Sequence, residues 1–152
     1  YNKLPELHEA RNALHKRTDY LLHLKNIGQI FIKHDVQDNF GVILLHKHFE
    51  IDKDQNMVEL VSNDKTNTSP IYVKIDNAIS PHSWIIKNGK VIPYEYYVGV
   101  DRINPNQNFI NEYNSYLKNN NLDTLFGLHL VHRKPQPDKT WIEHTEGKCN
   151  IM

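Results

Sequence analysis

The stretch that decides the fold is SWIIKNGKVIPYEYYV, Ser83–Val98. Two β-rich runs, Ser83 to Lys87 and Lys90 to Val98, flank Asn88-Gly89. That dipeptide accepts the two positive φ angles of a type I′ turn, which matches the twist of an antiparallel hairpin. Pro93 lacks the N–H that a ladder needs, so the second strand is expected at an edge or with a bulge.

The other segments fall on either side of this hairpin. Residues 5–25 read as helix. Pro5 suits a first helical position, Glu6 and Glu9 favour the positive end, and Leu7, Ala10, Leu14, Leu21 and Leu24 share one face. Asn26 and Gly28 interrupt the pattern, and Ile27, Ile30 and Phe31 restart it, which predicts two helices or one kinked near Gly28. Phe40–His48, Met57–Ser62, Ile71–Ile75, Leu125–Arg133 and Thr140–Thr145 read as strands, and Asn63–Pro70 as a polar loop. Pro105–Lys118 reads as a helix with Phe109, Tyr113, Tyr116 and Leu117 on one side.

This order lacks strand–helix alternation, so the expected fold class is α+β. It comprises an antiparallel sheet of about five to seven strands, N-terminal helices and one further helix packed on it. Residues 1–152 form a single domain in this reading. The expected core includes Leu14, Leu21, Phe31, Leu44, Trp84, Phe109, Phe126 and Leu128.

The segments FGVILLHK (40–47) and FGLHLVHR (126–133) echo each other, each after a helix and a polar turn. A duplicated helix–strand unit is one reading, and it predicts that the two strands lie in one sheet. Chance likeness of two amphipathic strands is the other.

Composition excludes several functions. Lys plus Arg and Asp plus Glu are 18 each, which gives no general nucleic-acid or anionic-membrane surface. No apolar run is long enough to span a bilayer. One cysteine, Cys149, gives no disulfide framework and no zinc–cysteine cluster. Glycine-rich phosphate loops and dinucleotide fingerprints are missing. The ending Cys149-Asn150-Ile151-Met152 has the form of a prenylation box if Met152 is the natural end.

Ten histidines are the unusual feature. His46 and His48 stand at i and i+2, which on a strand puts both imidazoles on one side. The echoed segment adds His132 as a third candidate ligand. Glu50 or Glu143 is a fourth ligand or a general base. Imidazole and carboxylate together suit a divalent metal such as zinc. The ligand-binding set is therefore His46, His48, His132, Glu50 and the aromatic hairpin residues Trp84, Tyr94 and Tyr96, with His46, His48 and His132 as the metal set. The leading expectation is a domain that binds a small ligand or a metal in a His-lined pocket on one sheet face. Two alternatives remain open: a non-catalytic protein-interaction module that uses the aromatic hairpin, and a metal-dependent hydrolase or oxygenase. The partner is a small molecule or a protein.

The run FGVILLHKHF (40–49) and the ending WIEHTEG (141–147) resemble segments of small fungal proteins of unknown function that carry an FGxxLLHxHF pattern. The resemblance implies a eukaryotic microbial, intracellular protein and carries no substrate or activity; the expected compartment is the cytoplasm.

Overall fold

A computed structural model describes residues 1–62, 65–74, 78–99, 103–131 and 142–152. Three helices and eight strands are present among them: α1 Leu7–His15, α2 Tyr20–Lys33, β1 Phe40–Leu44, β2 Asn56–Ser62, β3 Lys65–Ile71, β4 Ile79–Lys87, β5 Lys90–Val98, α3 Gln107–Asn119, β6 Phe126–Leu130, β7 His144–Glu146 and β8 Cys149–Ile151. The strands form one curled sheet in the order β1-β6-β4-β5-β2-β3-β8-β7. Neighbours are antiparallel except β2 and β5, which run parallel. The fold is thus α+β as expected, but the sheet is mixed and has more strands than expected.

The central hairpin forms as its sequence dictates. Asn88 and Gly89 take φ of 53° and 71°. The register slips beside Pro93, so Ser83 faces Glu95 while Trp84 faces Pro93 and Tyr94 is the extra residue. Pro93 therefore sits at a bulge, on a strand interior to the sheet rather than at its edge.

The helices differ from the expected pattern. The break falls at residues 16–19, not at Gly28. Arg17 N–H closes a tight turn on Leu14 O at 3.0 Å, and Asp19 occupies the N-cap of α2. The Asp19 carboxylate makes no capping bond; it lies 3.3 Å from Arg17 Nε and 3.1 Å from His23 Nε2, which ties the turn to the first turn of α2. Gly28 lies inside α2, where it costs roughly 0.5–1 kcal/mol relative to Ala. The break also turns Leu21 out of the core; it is 65% exposed.

Residues 63 and 64 lie outside the described residues, but the rest of the expected Asn63–Pro70 loop is a strand: residues 65–71 are β3, paired with β2 and β8. Its inward side chains are Thr66 and Thr68, so a strand without apolar alternation is buried by its pairing. The terminal CNIM segment is β8, paired to both β3 and β7 rather than hanging as a tail.

The main core lies between the sheet and α2 and α3. Phe31 meets Phe109 and Tyr113 edge-on at 5.0 and 5.4 Å, and Phe40 meets Trp84 at 6.0 Å. Phe126, Leu128 and Leu130 complete that face. Leu14 and Leu44 pack against it partly buried.

The echo is a structural repeat. After α2, Asp35 takes φ 55°, its N–H bonds Ile32 O, and Val36 N–H bonds Phe31 O. After α3, Asn121 takes φ 54°, its N–H bonds Lys118 O, and Leu122 N–H bonds Leu117 O. Each is a helix-ending Schellman pattern with a left-handed residue just past the helix. Phe40 N–H then bonds Val36 O, and Phe126 N–H bonds Leu122 O. The two helix–cap–strand units meet through β1 and β6, which are antiparallel neighbours. Val42 stands opposite Leu128, its equivalent, with Phe40 opposite Leu130 and Leu44 opposite Phe126, so the two strands pair symmetrically about that position.

The two Phe-Gly glycines are not equivalent. A Cβ on Gly127 would come within 2.6 Å of both the Trp84 carbonyl oxygen and Leu45 Cδ2, whereas on Gly41 it would meet only Val131 Cγ2 at 3.6 Å. Gly127→Ala is expected to destabilise by about 1–2 kcal/mol through overpacking, and Gly41→Ala by much less. Urea midpoints of the two variants check this. Equal midpoints would show that β6 and β4 can part without cost.

Candidate functional site

The His-x-His segment lies just past β1, not on it. Leu45 N–H bonds Leu125 O at 2.8 Å, and Lys47 N–H bonds Pro5 O at 2.8 Å. Lys47 also bridges Glu6 in parallel. The chain thus stays extended between the start of β6 and the start of α1. Leu45 is buried beside Leu4 and Tyr94, and the alternation turns His46 and His48 to one side. Their rings meet edge-on at 4.6 Å, with Nε2 to Nε2 at 3.0 Å.

Glu143 arrives from the other end of the sheet. Its Oε1 lies 3.2 Å from His48 Nε2. Because β1 and β7 are the outermost strands, these side chains close the seam of the curled sheet. His46, His48 and Glu143 offer three ligand atoms that all lie within 4.8 Å of one another.

Each of the three has an outer partner. His46 Nδ1 lies 2.8 Å from Leu44 O, so it carries the proton and leaves the Nε2 lone pair free. His48 Nδ1 lies 3.1 Å from Thr145 Oγ1. Asn150 Nδ2–H donates to Glu143 Oε1 at 2.5 Å. The His48 backbone N–H donates to the Tyr1 hydroxyl at 3.1 Å. Without a metal, the Thr145 hydroxyl can donate to His48 Nδ1, and the single His48 Nε2–H is then shared between His46 Nε2 and Glu143 Oε1.

The electrostatics follow from this geometry. The hydrogen bond from His48 holds the Glu143 carboxyl down at about 2, with the Asn150 amide and the His46 ring adding to the effect. Burial lowers the His46 imidazole below its ordinary value. Burial raises the Tyr1 phenol to about 12. At neutral pH the cluster therefore presents an ionised carboxylate and a neutral His46.

Other expected site residues lie elsewhere. The Glu50 carboxylate pairs with Lys47, so Glu143 rather than Glu50 joins the histidines. His132 lies outside the described residues. Trp84 is a core residue against Phe40, and Tyr97 belongs to the same core. Tyr94 is buried under Leu4, Leu45 and Tyr1 on the opposite face, so the aromatic hairpin is divided between two cores. Tyr94 and Tyr96 do line a cavity of about 310 Å³ with Tyr1, Asn2, Gln55 and Asn56. Cys149 stands opposite Glu146, while His144 stands opposite Ile151 and pairs with Glu146, so no Cys–His couple forms.

Several polar residues escaped the sequence reading. Ser83 Oγ lies 3.0 Å from His129 Nδ1, and Ser83 also bonds Glu95, which faces it across the hairpin. Burial raises the Glu95 carboxyl to about 7. The only local sign was alternation: Ser83 adjoins Trp84 and His129 lies between Leu128 and Leu130, which turns both to the face away from the main core.

Comparison with protein-family models finds no match, and comparisons with curated proteins and with solved structures find no significant similarity. No helix among the described residues is long and apolar enough to cross a membrane.

Proposed function

We propose that this protein is a metal-binding α+β domain in which His46, His48 and Glu143 hold a divalent first-row cation, with zinc the ion that suits the set. The supporting observation is the convergence of three ligand atoms, each already oriented by an outer partner. Two nitrogens at about 2.0–2.1 Å from one tetrahedral ion stand about 3.3–3.4 Å apart. The separations here are 3.0 and 3.2 Å, so a slight opening admits the ion. Outer hydrogen bonds of this kind fix the tautomer of a ligand histidine and the aim of a ligand carboxylate. Two histidines and one carboxylate leave at least one coordination position for water or a ligand, the pattern of exchangeable rather than closed sites. Bound there, the ion would act as a Lewis acid.

Equilibrium dialysis against zinc at pH 7.5, followed by elemental analysis, tests the reading. One ion per chain is expected in the wild type and in His15→Ala, which alters an exposed α1 residue. None is expected in the double change His46→Ala, His48→Ala. Stoichiometric zinc in that double variant would refute the site.

Affinity should also fall with pH, because only neutral imidazole coordinates. Glu143 stays ionised to about pH 2 and contributes nothing to that fall. The loss follows protonation of the imidazole ligands, and burial, which lowers the His46 pKa, delays it. Titration calorimetry between pH 5 and 8 reads the midpoint, and affinity that does not vary across this range would exclude imidazole ligands.

A further inference from the structure

We infer that the cavity between the first turn of α1 and the His-x-His segment binds a phosphate group, free or carried on a small molecule, with Arg11 as its charged anchor. The cavity has a volume of about 280 Å³ and is lined by Glu6, Leu7, His8, Arg11, Lys47, His48 and Thr145. It shares His48 and Thr145 with the metal cluster, and to that extent the inference rests on the metal reading.

The backbone explains why these groups meet. Pro5 and Glu6 are stitched to Lys47 by a hydrogen bond and a bridge, so α1 begins against the His-x-His segment. Leu7, His8 and Arg11 then share one side of α1, since i, i+3 and i+4 positions are neighbours. The opposite wall is His48 and Thr145.

Charge sets the ligand class. Arg11 is exposed and has no ion pair or hydrogen bond among the described residues. A guanidinium offers a planar fork of donors that matches phosphate or carboxylate oxygens in pairs. Lys47 adds a second cation, although its ammonium also holds Glu50 and the Asn2 carbonyl. Glu6 opposes them, but its carboxylate is engaged locally, with His8 Nδ1 at 3.4 Å and in the capping box with Glu9. Donors on two walls (Arg11 and Lys47), joined by the Thr145 hydroxyl when a metal on His48 Nε2 frees it from His48 Nδ1, suit a tetrahedral oxyanion better than a planar one. The volume limits the ligand to a small molecule.

Calorimetry with inorganic phosphate, with glycerol phosphate and with acetate tests the inference, each with zinc and after chelation. Arg11→Gln should weaken phosphate binding roughly tenfold or more, the scale of a lost charge-assisted bond. Lys16→Gln makes the same charge change at the C-cap of α1, outside the cavity, and should leave affinity within about twofold. Acetate should bind more weakly than phosphate, and tighter binding of glycerol phosphate than of phosphate would identify a carried group. No phosphate binding, equal binding in Arg11→Gln, or an equal loss in Lys16→Gln overturns the inference. Arg11-dependent phosphate binding without any zinc binding would leave this site standing and remove the metal reading. Zinc binding without phosphate binding would do the reverse.

Discussion

Zinc at a thousandfold excess over its dissociation constant is expected to stabilise the folded chain by about 4.1 kcal/mol, and the double change His46→Ala, His48→Ala to remove the whole gain. The linkage requires that the folded state binds and the unfolded state does not. His48 and Thr145 are 97 residues apart in sequence, and Glu143 sits beside Thr145, so an unfolded chain cannot hold the set together. In a domain of this size the gain reads as roughly 10 °C in melting temperature. Thr145→Val removes an outer partner but no ligand, and should lower affinity roughly 10–100-fold while leaving the stoichiometry at one. Because the ligands join the two outermost strands, the gain should also be local. Amide exchange should slow most in β7 and β8, each only three residues long. Melting curves that superimpose with and without zinc at pH 7.5 would sink the site.

Parts of this arrangement were legible in the sequence, and the reasons differ by element. Asn88-Gly89 and the apolar face of α3 depend on residues close in sequence, and both formed as read. Phe40 and Phe126 announced two strands of one sheet because each unit repeats the same local helix-ending chemistry. His46 and His48 were paired correctly although β1 stops at Leu44, because an extended chain alternates whether or not it is in a sheet. The choice between Glu50 and Glu143 was not legible. It depends on the curl of the sheet, which follows from the non-local pairing of β3 with the β7–β8 hairpin through β8. The parallel contact of β2 with β5 has no local signature either. β3 was missed because Thr66 and Thr68 are buried by strand pairing, not by hydrophobicity.

Glu95 carries the last expected effect, and its sign is opposite to that of a paired carboxylate. Its carboxyl ionises near the ordinary 4.5 in the unfolded chain and at about 7 in the folded one, because burial disfavours the charge. Below pH 4.5 both states are protonated and the group has no effect on stability. Between pH 4.5 and 7 the unfolded chain loses its proton first, so stability falls; above 7 the full penalty remains, up to about 3 kcal/mol. Glu95→Gln keeps the shape and the polar contact to Ser83 but never ionises. It should match the wild type at pH 4 and exceed it by up to about 3 kcal/mol at pH 8. Urea melts at those two pH values measure the difference, and an equal offset at both would refute the buried-carboxyl account. The penalty also connects to the cluster, because the Glu95 carboxyl senses His48 and Glu143. A cation held by those residues favours the ionised carboxyl and relieves part of the cost. The zinc-induced gain should therefore be larger at pH 8 than at pH 6.5 in the wild type, beyond what the histidines supply, and Glu95→Gln should remove that extra increment.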